Sequence, residues 1–237
     1  MRAPPPRVAW PVMHHHWSWI TFLHWRYPVG TVQSMLPPGL AVDTYDGSAW
    51  LGLTPFLMER VRPPVGPVLP WLSRFPETNV RTYVRDRDGR RGIWFFSLDA
   101  ARLPAVLAAR VSYSLPYFWS EMAVRVDGER LEYRCTRRRP SLRGPHCHAE
   151  VRLGPALDHR AHDELARFLT ARYRLFTVVL GRLVAAEVEH PVWPLHHAEL
   201  LRLDETLLTA AGLPPPHGPP LVHASPGVPV RVGRWHR

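Results

Sequence analysis

The sequence predicts an α+β protein, mainly antiparallel β, built on a curved sheet or barrel with two or three helices. Three observations lead there. Short runs that alternate between apolar and polar residues recur along the chain. Turn dipeptides such as Asp46-Gly47 and Asp127-Gly128 separate them. Only two or three segments carry the stripe of a helix.

Taken in order, "MRAPPPRVAWPVMHHH" offers little to bury, so residues 1–16 read as a Pro/His-rich tail and 17–237 as one domain. "SAWLGLTPF" reads as a strand entered through Asp46-Gly47. "NVRTYVRD" and "GIWFFSL" form a hairpin through "RDGR". "LPAVLAARV" fits a helix or a buried strand, and its alanines favour the helix, with Asp99 ahead of it as a cap. A second hairpin sets Met122, Val124 and Val126 against Leu131, Tyr133 and Cys135, leaving Arg130, Glu132, Arg134 and Thr136 to solvent. In "HAEVRL", Ala149, Val151 and Leu153 point one way, Glu150 and Arg152 the other. "DHRAHDELARFLTARYRLF" predicts a helix with Leu165, Phe168, Leu169 and Tyr173 on one stripe. "VVLGRLVAAEV" then reads as a strand, "DETLLTAAG" as a short helix between Asp204 and Gly212, and "VPVRV" as a last strand.

Composition removes several function classes. The 237 residues carry a net charge of +10, and all 30 basic residues are Arg. Without lysine there is no Schiff base, no phosphate-loop ammonium and no amine general base. The arginines are scattered, only Arg137 to Arg139 forming a run, so nucleic-acid binding is not expected despite the charge. Cys135 and Cys147 are too few for a structural zinc site, which suits a reduced, cytoplasmic protein, and no apolar run is long enough for a membrane span. No nucleophile elbow, dinucleotide fingerprint or metalloprotease motif is present. His14, His15, His16 and His24, or His146 and His148, lack carboxylates at fixed spacing, so neither metal nor cofactor is expected.

The stretch "FPETNVRTYVRD" poses the functional question. One strand face holds Glu77, Asn79, Arg81, Tyr83 and Arg85; the other holds Thr78, Val80, Thr82 and Val84. On the residues alone, the charged face reads as a solvated surface.

The segments "ITFLHWRYP", "LPPGLAVDTYDGSAWLGLTPF", "FPETNVRTYVRD", "GIWFFSLDA", "FLTARYRLF", "EHPVWPLHHAEL" and "HASPGVPVRVG" follow one another along the chain. Together they resemble the YqjF-like proteins, a family of unknown function grouped with the acetoacetate decarboxylase superfamily. The resemblance implies a curved β-barrel or cone around a small-molecule chamber. It turns the charged face inward, where Arg81 and Asn79 would meet a ligand carrying a carboxylate or carbonyl, Glu77 would act as general base and Tyr83 as proton donor. His24, Arg110 and His190 are further candidates for substrate contact. The superfamily's lysine-dependent decarboxylation is excluded here. The expected function is non-imine acid/base chemistry on a small acidic or carbonyl compound, and the alternative is a binding or sensing module without turnover. The sequence leaves the oligomeric state open.

Overall fold

The computed structural model describes residues 7–65, 73–138, 144–158 and 163–236. In chain order the elements are β1 (Met13–Tyr27), α1 (Val29–Gln33), β2 (Leu40–Val42), β3 (Ala49–Arg62), β4 (Phe75–Asp86), β5 (Arg91–Ala100), α2 (Leu103–Tyr113), β6 (Tyr117–Asp127), β7 (Arg130–Arg137), β8 (His146–Ala156), α3 (Glu164–Thr170), β9 (Arg174–Val179), β10 (Arg182–Glu189), β11 (His196–Glu205), α4 (Leu207–Ala210) and β12 (Leu221–His236). No helix among the described residues is long and apolar enough to cross a membrane.

The twelve strands among the described residues join one sheet, and it closes on itself twice. The strands β12, β1, β3, β4 and β5 form a shared wall. At β5 the free edge divides: Leu98, Asp99 and Ala100 pair in parallel with β6, while Ile93 and Trp94 pair in parallel with β9. The free edge of β12 divides likewise, His223 and Ala224 pairing with β11 and the segment from Arg231 onward with β10. One circuit therefore runs through β9 and β10, the other through β6, β7, β8 and β11.

This double closure answers the question of which face of β4 is inside: both are. From Glu77 to Val84 every residue is buried. Val80 packs into an apolar core with Leu23, Leu51, Leu53, Leu131, Tyr133 and Val151, which fills the larger circuit. Glu77, Asn79 and Arg81 turn into the smaller one. A half-solvated strand and a strand buried on two faces both alternate, so periodicity alone does not separate them.

Two bulges set what the smaller circuit contains. In β1 the register against β3 shifts between Ser18 and Leu23, and Trp19 takes φ 49°, a left-handed conformation that is strained for a bulky residue. Before the shift Met13, His15 and Trp17 face the chamber; after it Ile20 does, with Phe22 packed in the same apolar cluster, and Leu23 and Trp25 enter the other apolar core. In β5 the shift between the partners of Val80 and Arg81 likewise passes the inward role from Ile93 and Phe95 to Leu98.

Both hairpins read from the sequence are present, with Leu131, Tyr133 and Cys135 buried and Arg130, Arg134 and Thr136 exposed. Several expectations change. β1 begins at Met13, so His14 to His16 belong to a strand and alternate across it rather than forming part of a tail. The predicted helix around Leu165 is only α3; Asp163 caps it by accepting from Ala166 N at 2.5 Å, and Arg172 Nε, donating to the Phe168 carbonyl at 2.6 Å, closes its far end. The chain beyond it carries no continued apolar stripe, and its Thr177, Val178 and Val179 suit β9. Leu180 and Gly181, at φ 49° and 75°, make a tight turn that splits the single strand expected there into β9 and β10. Thr206, not Asp204, sits at the start of α4. Asp99 caps nothing: its two oxygens accept from Arg137 Nε at 2.8 Å and Nη2 at 2.9 Å. Arg102 precedes α2 without a side-chain cap.

Candidate functional site

The smaller circuit encloses a cavity of about 110 Å³ lined by β1, β3, β4, β5, β9, β10 and β12, with α2 and the segment after α3. Most of its wall is apolar, as Ile20, Phe56, Met58, Leu98 and Val188 illustrate. Its polar residues include Glu77, Asn79, Arg81, Arg172, Arg174 and His190.

Glu77 is 3 % exposed. Burial pushes its carboxyl up to about 8, with the Asp99 carboxylate adding in the same direction, while hydrogen bonds from Tyr117 and Asn79 hold it lower than burial alone would. Tyr117 donates to Glu77 Oε2 at 2.9 Å. At neutral pH Glu77 therefore carries its proton, an acid next to a phenol whose own ionisation burial and Glu77 push well above its usual value.

Arg81, four residues along the same strand face, is 6 % exposed and has no carboxylate within ion-pair reach among the described residues. Its guanidinium lies over the rings of Phe22, at 5.3 Å, and Tyr83, at 6.0 Å, and its Nε has no hydrogen-bond partner. Gly52, opposite both Arg81 and His24, makes room for them: a Cβ there would lie 3.2 Å from the His24 ring and 3.4 Å from Arg81 Cγ. A second buried arginine, Arg172, is held by Asp43 at 2.7 Å and clasped between Tyr83 and Phe168, yet its Nη2 is also unpartnered. Asn79 Oδ1 shares that condition. Buried polar atoms are nearly always hydrogen-bonded, yet several without a partner among the described residues gather around this one cavity.

The remaining sequence candidates fall differently. Tyr83 is fully buried but does not line the cavity; its hydroxyl shares a 2.6 Å hydrogen bond with His24 Nε2. Desolvation, with Arg81 and His223 adding, holds His24 well below the usual imidazole range, so the pair is a neutral strut behind Arg81. The phenol in contact with Glu77 is thus Tyr117, not Tyr83. His190 lines the cavity, but both ring nitrogens face backbone carbonyls, of Pro191 at 2.7 Å and Arg172 at 3.1 Å, so it steadies the wall. Arg110 lies outside: its Nε donates to the Tyr117 carbonyl at 2.6 Å, and its head rests on Phe118.

Sequence reasoning missed Tyr117, Arg172, His15 and Trp17. Arg172 stood in the quoted "FLTARYRLF", hidden by its assignment to a helix. His15 and Trp17 were obscured by the histidine run, which the strand divides between its two faces. Elsewhere, Glu132, His148 and Glu150 bring three ligand-type groups together on the outer side of β7 and β8, where Arg134 already neutralises Glu132.

Comparison with known proteins agrees with this architecture. Residues 14–229 match the model of the DUF2071 family, described as an uncharacterized conserved protein. The chain is 36% identical over 218 residues to the uncharacterized protein YqjF of Bacillus subtilis (strain 168), covering 92% of this chain and 88% of that one. Among solved structures it is similar to the enduracididine biosynthesis enzyme MppR complexed with pyruvate, with a TM-score of 0.68 at 16% identity over 100% of this chain and 91% of that one. It is also similar to an acetoacetate decarboxylase-like enzyme from Sphingomonas wittichii RW1, with a TM-score of 0.66 at 13% identity over 96% and 93%. At these identities the structural likeness establishes the fold. The chain belongs to the DUF2071 family of YqjF-like proteins, whose function is uncharacterised, and it carries the acetoacetate decarboxylase-like fold.

Proposed function

We propose that this protein binds a small compound bearing a carboxylate or carbonyl in the chamber and exchanges a proton with it through Glu77, without an imine. The observation that carries the reading is the pairing, in one cavity, of a buried carboxyl that keeps its proton at neutral pH with a buried arginine that has no counter-ion among the described residues. The Arg81 guanidinium suits a carboxylate, which would relieve the charge it now buries unpaired. Neutral Glu77 suits a carbonyl oxygen, to which it donates; once ionised it suits an acidic C–H beside that carbonyl. Tyr117 steadies either state of Glu77 by its hydrogen bond. That MppR, of the same fold, has been crystallised with pyruvate supports a 2-oxo acid as first probe.

The test is loss of the methyl proton signal of pyruvate in D₂O, followed by NMR with wild type, Glu77→Gln and Arg81→Met. Exchange above background that rises with pH through about 8 and disappears in Glu77→Gln supports the acid/base role. Binding that depends on Arg81 with no exchange at any pH refutes catalysis and leaves the binding or sensing module. Absence of both binding and exchange for pyruvate and longer 2-oxo acids refutes the whole reading.

A further inference from the structure

The orphaned polar atoms of the chamber are not confined to the Arg81 region. Trp17 Nε1 and both ring nitrogens of His15 are shielded from solvent and without partners, and both residues line the same cavity. The strand registers place them at a distance from the arginine. Arg81 lies opposite Gly52 of β3, and Trp17 lies opposite Met58. Those six residues of strand correspond to roughly 20 Å of backbone if extended, which the inward-leaning side chains shorten. Phe22, Trp193 and Trp17 bridge the interval as an aromatic row: Arg81 rests on Phe22, Phe22 meets Trp193 edge-on at 5.2 Å, Trp193 stacks on Trp17 at 6.0 Å, and Trp17 adjoins His15 at 5.5 Å.

The two ends differ in electrical character. Around Arg81 the spare donors belong to guanidinium groups, which call for an anion. At the far end, burial and the neighbouring His14 hold the His15 imidazole down to about 3, so it is neutral and offers one donor and one acceptor; Trp17 adds a neutral donor. A charged group placed there would lose its hydration with no counter-charge in return, whereas a hydroxyl both gives and takes a hydrogen bond.

We infer that His15 and Trp17 form a second, distal subsite, and that the chamber takes a 2-oxo or related carboxylic acid with an apolar body and a terminal hydroxyl. This rests on the proposed function for the position of the carboxylate. The size agrees: about 110 Å³ of cavity, at about 10–15 Å³ per water-sized group, holds about seven to eleven such groups, more than the six heavy atoms of pyruvate. A ligand without the distal hydroxyl leaves His15 and Trp17 unsatisfied or strands a water there, and either weakens binding.

The experiment measures dissociation constants by titration calorimetry for 2-oxohexanoate and 2-oxoheptanoate, each with and without a terminal hydroxyl, on the full chain. The hydroxylated member of at least one pair should bind about tenfold tighter. That preference should fall below about threefold in Trp17→Phe and in His15→Leu. Equal affinity within both pairs for wild-type protein overturns the distal subsite, and needs no variant to fold. Survival of the preference in Trp17→Phe and His15→Leu overturns it as well. In either case Arg81-dependent binding of the unsubstituted acids leaves the proposed function standing. If none of the four acids binds, both fall together.

Discussion

Glu77→Gln should make the protein insensitive to a pH window in which the wild type steadily loses stability. Folding moves the Glu77 carboxyl from an ordinary 4.5 to about 8. Between those values the unfolded chain has released the proton and the folded chain still holds it, so unfolding is favoured increasingly as pH rises, and the effect is complete above about 8. The interval corresponds to about 5 kcal/mol, a large part of the 5–15 kcal/mol that stabilises an ordinary domain. Glutamine has nearly the same shape, cannot ionise, and still accepts from Tyr117. Other titrating groups act on both proteins and cancel in the difference. Urea denaturation of both at half-unit steps from pH 4 to pH 9 should therefore show the variant gaining on the wild type by about 5 kcal/mol, mostly between pH 4.5 and 8. Two curves that stay parallel within about 1 kcal/mol from pH 5 to pH 8.5 would refute the assignment of a buried, proton-retaining Glu77.

Other expectations follow from the same physics. Arg81→Met should raise the melting temperature of the ligand-free protein, because a buried charge without a carboxylate is replaced by an apolar chain, and should abolish any shift produced by 2-oxo acids; thermal scans with and without ligand check both halves. Asp43→Asn should cost about 3–5 kcal/mol in urea denaturation, since it leaves the buried Arg172 guanidinium uncompensated. Leu180→Asn should gain roughly 1 kcal/mol, because an exposed leucine at φ 49° is replaced by a residue that tolerates that conformation. Cys135 and Cys147, buried opposite one another on β7 and β8 with their thiols pushed up by burial, should resist thiol reagents in the native protein and both react once it is denatured.

The sequence carried the strand content because alternation is local, and it carried the Glu77, Asn79 and Arg81 row because those residues share one face of one strand. What it did not carry was non-local. Whether that face met water or a cavity depended on the sheet dividing at β5 and β12, which no spacing within β4 records. His15 and His24 differ in parity, and only the bulge at Trp19 places the former in the cavity wall and the latter against Arg81 from the same strand. Tyr117 reaches Glu77 across forty residues of chain, through a parallel pairing of β5 with β6 that a helix separates. Arg172 escaped because helical and strand periodicity compete over "FLTARYRLF", and a side chain closing the helix decided where one gave way to the other.

The closure of the smaller circuit is uneven. β3 and β4 are laced together from Leu51 to Met58, whereas β5 and β9 meet only at Ile93 opposite Leu175 and Trp94 opposite Phe176. Local opening requires the fewest broken ladder bonds at that seam, and Ile93 and Leu175 both line the cavity. That seam is therefore where the chamber wall is held by the fewest ladder bonds, and it lies three residues along the chain from Arg172. For a ligand bound as proposed, substitutions at Ile93, Trp94 and Phe176 should therefore change how fast it leaves, and Arg81→Met how tightly it is held, which dissociation rates and equilibrium constants measured side by side check.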